Sequence, residues 1–390
     1  MHALADTITR FDDPLGFRLS AAAQPSPLVS DGSDTIKVEA RQMAIHQKEA
    51  VVTCGEGGGK WRLASDEGKP LRGTDLAPFP LAFSTAGFQS DLSGRIRAHA
   101  AQRAIALDGL RIRLVNKYWL TGSFAQGTGE GHADPADLDV DVVTKAGAAD
   151  VKALIRDAIL ASPAMSFLRH AVEGNTFALY VNGRRCNVAG VPVSSRDSVA
   201  DPFMVYTQPP RPPAGYALPD ILGKTGRSEG GEAITALPAA NAKVLRRSIG
   251  EGIARLADGT YETETWLGLP AMTHYRVASD ESGADRAPSG LALLSTGIAF
   301  CYMTQLSRYI ESMKMNIRGA RLVQFTSFEG GPAARMAPID THLFLNGEAP
   351  EETHLQLLTI AARTCYLHAT ARTPHEPVLR IVCNGEVLEG

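Results

Sequence analysis

The order of apolar and polar segments in this 390-residue chain runs through once and then runs through again. That repetition constrains the fold more than any single motif does. A shift of 202 residues sets Asn182-Gly183 on Asn384-Gly385, each just after an apolar, strand-like run. The same shift lays the helix-like segment Ala149 to His170 on Glu351 to Arg372, and the strand-like Asp139 to Val143 on Thr341 to Leu345. Upstream, Arg113-Leu114-Val115 meets Arg321-Leu322-Val323 at a shift of 208, the difference falling in the longer loop from Gly122 to Asp134. Pro78-Phe79-Pro80-Leu81 and Pro288-Ser289-Gly290-Leu291 each open a long helix. The economical reading is two copies of one α+β unit.

Periodicity fills in the units. Residues 1–35 read as an N-terminal extension and 36–186 as the first unit. Its strands are Ile36 to Cys54, Trp61 to Ala64, Leu110 to Leu120, Leu138 to Val143 and Phe177 to Val181; its helices are Leu81 to Leu107 and Ala149 to His170. Residues 187–240, with Pro209-Pro210-Arg211-Pro212-Pro213 and the glycines from Gly226 to Gly231, read as a linker. The second unit, 241–390, has strands Tyr261 to Trp266, Thr273 to Ala278, Ala320 to Phe328, Ile339 to Leu345 and Val378 to Cys383. Its helices are Leu291 to Met315 and Glu351 to Arg372.

A hydrophobic share of 44% permits a large core, and a net charge of −3 argues against a general nucleic-acid or membrane-surface binder. No apolar run of about 18 residues is evident, and the start does not resemble a signal peptide, so a soluble cytoplasmic protein is expected. The five cysteines, Cys54, Cys186, Cys301, Cys365 and Cys383, are odd in number and widely spaced. They suggest no disulfide framework and no zinc site, only single thiols, each buried or reactive. No cofactor and no metal is called for.

One motif points elsewhere. Gly122-Ser123 followed by Asp137-Leu138-Asp139-Val140-Asp141 resembles the signature of nucleotidyltransferases of the DNA polymerase β type. Alternate strand residues share a face, so Asp139 and Asp141 would stand together as metal ligands. Against this, Phe177 to Val188 supplies no third carboxylate, and the second unit has Thr341, Leu343 and Leu345 at the matching positions. A solvated acidic strand face accounts for the same residues.

The second unit carries the more specific pattern. Cys301 lies early in the long helix, on a stripe with Gln305, Arg308 and Ser312 beside the apolar stripe Tyr302, Leu306, Ile310 and Met313. Cys365 lies midway along the second helix, in Arg363-Thr364-Cys365-Tyr366-Leu367-His368-Ala369, with His368 a turn further on. This arrangement, from about Tyr261 to Val387, resembles the OsmC/Ohr family. The first unit resembles the same fold without its thiols: Phe88, Gln89 and Ser90 stand near the first cysteine's place, and Pro163 aligns with Cys365.

The resemblance implies two OsmC-like domains in tandem, forming within one chain the intertwined dimer typical of the family, with antiparallel sheets packed on long central helices and one half degenerate. It also implies reduction of a small organic hydroperoxide, with Cys301 as the peroxidatic thiol, Cys365 as the resolving thiol and an external dithiol as reductant. The family's arginine, held by a glutamate about ten residues before the first cysteine, has no direct match: Leu291 stands there. Arg276, Arg286 and Arg308 are substitutes, and an arginine from the first unit is another source. Two other readings fit the same residues: a ligand-binding protein on this scaffold, and a hydrolase or lyase using Cys301, Cys365 and His368 as base. No nucleic-acid or membrane partner is expected; further association into a homodimer stays open.

Overall fold

Residues 6–23, 28, 32–215, 221–228, 244–255, 259–269 and 273–388 are described by a computed structural model. The first half runs β1 (Gly16–Ser20), β2 (Ser33–Gln42), β3 (Lys48–Cys54), β4 (Lys60–Ser65), α1 (Pro80–Gln102), β5 (Leu107–Thr121), β6 (Glu130–Thr144), α2 (Ala148–Leu160), α3 (Pro163–Arg169), β7 (Thr176–Val181) and β8 (Arg184–Cys186). After a short α4 (Phe203–Tyr206), the same order recurs. It runs β9 (Leu222–Ser228), β10 (Val244–Arg255), β11 (Tyr261–Leu269), β12 (Thr273–Ser279), α5 (Gly290–Ser312), β13 (Ile317–Glu329), a two-residue β14 (Arg335–Met336), β15 (Asp340–Gly347), α6 (Glu351–Thr364), α7 (Tyr366–Arg372), β16 (Val378–Cys383) and β17 (Glu386–Leu388).

The molecule is mixed α and β, and its two sheets take strands from both halves. One has the order β1-β4-β3-β2-β13-β15-β7-β8, the other β17-β16-β6-β5-β10-β11-β12-β9. The exchange occurs where β2 pairs with β13 and β10 with β5, both antiparallel. Two pairings depart from the expected all-antiparallel sheets: β15–β7 and β16–β6 are parallel. Each crossover through a helix pair brings its last strand beside a strand of the other half rather than beside its own.

Between the sheets lie the two long helices, α5 against β2, β3 and β13, and α1 against β5, β10, β11 and β12. They meet along glycines. A Cβ on Gly87 would come 2.5 Å from the Gly290 carbonyl oxygen and 2.7 Å from the Leu294 nitrogen; one on Gly297 would come 2.7 Å from the Ser84 nitrogen. Only glycine lets the backbones approach this closely. Their apolar residues, such as Phe83, Phe88, Leu294 and Phe300, join one core with both sheets. The Phe83 and Phe300 rings meet edge to face at 5.4 Å. Among the described residues α5 is the one helix long and apolar enough to cross a membrane, a run the sequence reading missed, and its whole apolar window is buried inside the fold.

Other departures are local. Ile36 to Cys54 is a hairpin, β2–β3, rather than one strand. Leu222–Ser228, within the expected linker, pairs with β12 as an edge strand, a role its polar sequence does not signal. The end of that linker and the start of the second unit, residues 229–243, lie outside the described residues. The second helix of each half is broken, α2/α3 before Pro163 and α6/α7 at Cys365, whose φ of −67° and ψ of 125° are extended. Proline explains the first break, because its ring clashes within a helix; no residue type announces the second.

The glycine contact yields a stability test. Gly→Ala on an exposed helix gains up to about 1 kcal/mol. Gly87→Ala or Gly297→Ala should instead lose about 1–3 kcal/mol in urea unfolding, because the methyl group pushes α1 and α5 apart.

Candidate functional site

The break at Cys365 creates the site. Cys365 ends α6 and caps α7, so it faces back toward α5, where Cys301 is 3% exposed. The Cys365 thiol hydrogen-bonds to the Cys301 sulfur, and the backbone N–H groups of Leu367 and Tyr366 donate to the same sulfur. Burial disfavours the Cys301 thiolate, but these donors outweigh it and its pKa lies below the ordinary thiol value. Burial, reinforced by donation to Cys301, pushes the Cys365 thiol well up. Within the pair, the thiolate is favoured at Cys301 over Cys365.

Cys301 lines a small pocket with a cavity volume of about 30 Å³. Thr304, Gln305 and Arg308 line it from the same helix, so Arg308 does reach the cysteine's surroundings. The Arg308 guanidinium lies 3.9 Å from the centre of the Phe124 ring and donates to Gln305 Oε1 at 3.4 Å. Phe79, Leu81, Leu267 and Tyr366 supply apolar walls.

The groups the sequence reading missed come from the other half. Glu67, just past β4, lines the pocket, 4% exposed, and accepts from Thr304 Oγ1 at 2.7 Å. Lys48, which opens β3 and is wholly buried, sets its Nζ 3.9 Å from Glu67 Oε1 and donates to the His46 carbonyl at 2.6 Å. Burial lowers the Lys48 pKa, against the pull of Glu67, Asp66 and Cys301, and burial raises that of Glu67. A lysine–glutamate pair from the first half thus stands where an arginine–glutamate pair was sought. One signal for it was present: Ser65-Asp66-Glu67 recurs as Ser279-Asp280-Glu281.

The remaining candidates lie apart. Arg276 pairs with Glu262 at 3.3 Å across β11–β12, and Arg286 with Asp280 at 3.1 Å. His368 offers Cys365 its backbone N–H, while its ring sits against Tyr302 and Phe177, at 5.3 and 6.2 Å between centroids, with no hydrogen bond at either nitrogen. Burial, aided by Arg372, pushes the imidazole pKa down to about 3. As placed, it contacts no nucleophile and cannot take a thiol proton directly.

The acidic strand is a charge ladder. Leu138, Val140 and Val142 face the core, while Asp137 meets Lys117 at 2.6 Å and Asp139 meets Arg113 at 3.7 Å. Asp141 stands opposite Arg111. Gly122 has φ +72°, and a Cβ there would come 2.2 Å from the Thr128 carbonyl oxygen, so that glycine serves the hairpin. Ser123 donates its N–H to Thr128 Oγ1. Among the described residues no group of three metal-binding side chains forms.

The matching place in the first half is occupied by oxygen. Asp91, the twelfth residue of α1 as Cys301 is of α5, accepts from Ser162 Oγ at 2.5 Å and from the Ala164 N–H at 3.2 Å. Ser162 caps α3 as Cys365 caps α7. Glu281 completes the set, accepting from Ser90 Oγ at 2.7 Å and the Gly290 N–H at 2.5 Å. The first cysteine's place thus falls on Asp91, one residue beyond Ser90, and the second on Ser162, one before Pro163. Cys54 borders the adjoining cavity; burial and then Asp285 and Asp34 hold its thiol protonated.

No protein-family model and no curated protein matches the chain. Among solved structures, an OsmC-like hydroperoxide resistance protein from Jannaschia sp. CCS1 is similar at 21% identity over 35% of this chain and 88% of its own, with a TM-score of 0.20. A likeness of that degree assigns no chemistry to this chain.

Two measurements probe the paired sites. Lys48→Met should raise the Cys301 pKa and slow its alkylation by iodoacetamide at pH 7 by about tenfold, read as a shifted pH–rate profile. Burial, then the Asp91 charge, pushes Glu281 from 4.5 up to about 7. Its folded-state pKa is thus raised, so the stability linked to it is full below pH 4.5 and is lost as pH rises to about 7. Glu281→Gln should gain on wild type in Tm across that window; a constant difference would show that the carboxyl does not titrate there.

Proposed function

We propose that this chain is an internally duplicated, OsmC-like pseudo-dimer whose second half carries a thiol-dependent peroxidase site for small organic hydroperoxides. The observation that carries the reading is the Cys301–Cys365 pair: two buried sulfurs in hydrogen-bond contact, one favoured as thiolate and one as thiol, at a pocket with apolar walls. The exchange of strands between halves supports the pseudo-dimer, since each sheet needs both.

The chemistry balances without a cofactor. The Cys301 thiolate attacks the terminal oxygen of ROOH; an S–O bond forms, the O–O bond breaks and RO⁻ leaves, taking a proton from the Lys48–Glu67 pair. Cys301 is then a sulfenic acid. The Cys365 sulfur attacks it, forming the disulfide as the S–O bond breaks, and the Cys365 proton leaves with the hydroxyl as water. An external dithiol restores both sulfurs by exchange and is oxidised in turn, and the proton that the regenerated Cys301 thiol gives up returns to the Lys48–Glu67 pair. Apolar walls suit the R group, and Lys48 favours the Cys301 thiolate and the departing alkoxide.

Complete burial of Cys365 favours one alternative, a binding protein that holds an apolar ligand in the same pocket. Cumene hydroperoxide separates the two. A reactive site loses two of the five thiols in the wild type and none in Cys301→Ser, and gives a dimedone-trapped sulfenate in Cys365→Ser. No thiol loss at excess peroxide would sink the peroxidase.

A further inference from the structure

The break at Cys365 changes the partners of two backbone N–H groups. In an unbroken helix those of Tyr366 and Leu367 would donate four residues back, to the carbonyls of Ala362 and Arg363. Here both turn to the Cys301 sulfur instead. The two carbonyls so freed are the ones that Arg372 takes. Its Nη1 donates to the Ala362 oxygen at 3.1 Å and its Nη2 to the Arg363 oxygen at 3.1 Å. Nη2 also donates to the Gly131 carbonyl at 3.3 Å, near the start of β6 in the first half. Gly131 lies against the break itself, for a Cβ there would come 2.5 Å from the Thr364 carbonyl oxygen. One guanidinium at the end of α7 thus joins the end of α6 to a strand of the other half.

The first half reaches the same break by another route. Pro163, opening α3, has no N–H and keeps the residue before it out of a helical backbone. One N–H group, that of Ala164, turns to the long helix, meeting Asp91 at 3.2 Å, and the Leu160 carbonyl it leaves accepts from the Ala334 N–H at 3.0 Å. Arg169 ends α3 as Arg372 ends α7, yet it pairs with Glu376 at 2.9 Å instead. In the second half Tyr366 stands where Pro163 does. The sulfur thereby gains a second N–H donor, and no proline enforces the break. Charge-assisted hydrogen bonds from a guanidinium are strong enough to hold the two carbonyls against their helical partners.

We infer that Arg372 is the positioning residue of the thiol pair: by holding the carbonyls of Ala362 and Arg363, it keeps the Tyr366 and Leu367 N–H groups on the Cys301 sulfur. Without it those N–H groups return to the helix ladder, and the sulfur loses donors that favour its anion. The first half takes part through Gly131, so both halves align one thiol. A role for Arg372 in turnover rests on the peroxidase reading; its role in setting the Cys301 thiol does not, and is measured without peroxide.

The pH dependence of iodoacetamide alkylation, read at Cys301 by peptide mass spectrometry on the full chain, tests this. Arg372→Gln should move the Cys301 profile up by about one pH unit, or about tenfold slower alkylation below its pKa. Arg372→Lys keeps the charge, but one ammonium cannot span carbonyls that two guanidinium nitrogens reach, so it should show part of the shift. Tyr366→Pro removes one donor and enforces the break as Pro163 does. In that background Arg372→Gln should change the rate by less than about twofold, because its effect runs through the break. If Arg372→Gln does not fold, Arg372→Lys makes the comparison in both backgrounds. An Arg372→Lys profile equal to wild type, or a shift of the same size with and without Tyr366→Pro, would overturn the assignment. These profiles stand whatever the outcome with cumene hydroperoxide.

Discussion

The contact between α1 and α5 at Gly87, Gly290 and Gly297 is what the rest of the structure hangs on. Because the two backbones touch, the helices form one thin central layer, and each sheet lies against one of them while its edge loops reach the other. The ends of β3 and β4, in the sheet that lies against α5, bring Lys48 and Glu67 to Cys301. The same closeness on the opposite side brings Glu281 to Asp91.

Seen from that layer, the two halves have made different use of one geometry. A residue at the twelfth position of each long helix meets the cap of a short helix and a glutamate from a Ser-Asp-Glu segment of the other half. In one place the atoms are sulfur, sulfur and carboxylate, with a buried lysine behind them; in the other they are carboxylate, hydroxyl and carboxylate, with Arg95 3.4 Å from Asp91. Sulfur can change oxidation state and oxygen there cannot, so a thiol redox step would find its atoms in the second half alone. The oxygen set is almost fully hydrogen-bonded within itself and reads as a structural joint between halves.

Much of this was legible beforehand, and the gaps have physical causes. The repeated order, the long helices, the stripe of Cys301 with Gln305 and Arg308, and the missing thiols of the first half all follow from local spacing. Lys48 and Glu67 were not found because their role depends on which half packs over α5, which no local pattern encodes. The break at Cys365 was missed because neither proline nor glycine marks it, although Pro163 marks its twin. The parallel pairs β15–β7 and β16–β6 escaped for the same reason as Lys48: they join residues more than 150 positions apart.

Strand exchange also sets the order in which the protein can be made. When the first half leaves the ribosome, β2 lacks β13, β5 lacks β10, and β7 has no β15 to lie beside. Those open edges close in turn as synthesis passes residues 255, 329 and 347, and β6 waits for β16, which ends at Cys383. Unpaired edges recruit other chains, so the nascent first half is the stage most exposed to aggregation. Its long-range pairings also make for slow folding. A fold that weaves its halves together must therefore be shielded, or kept soluble by its charged surface, until β16 has been made.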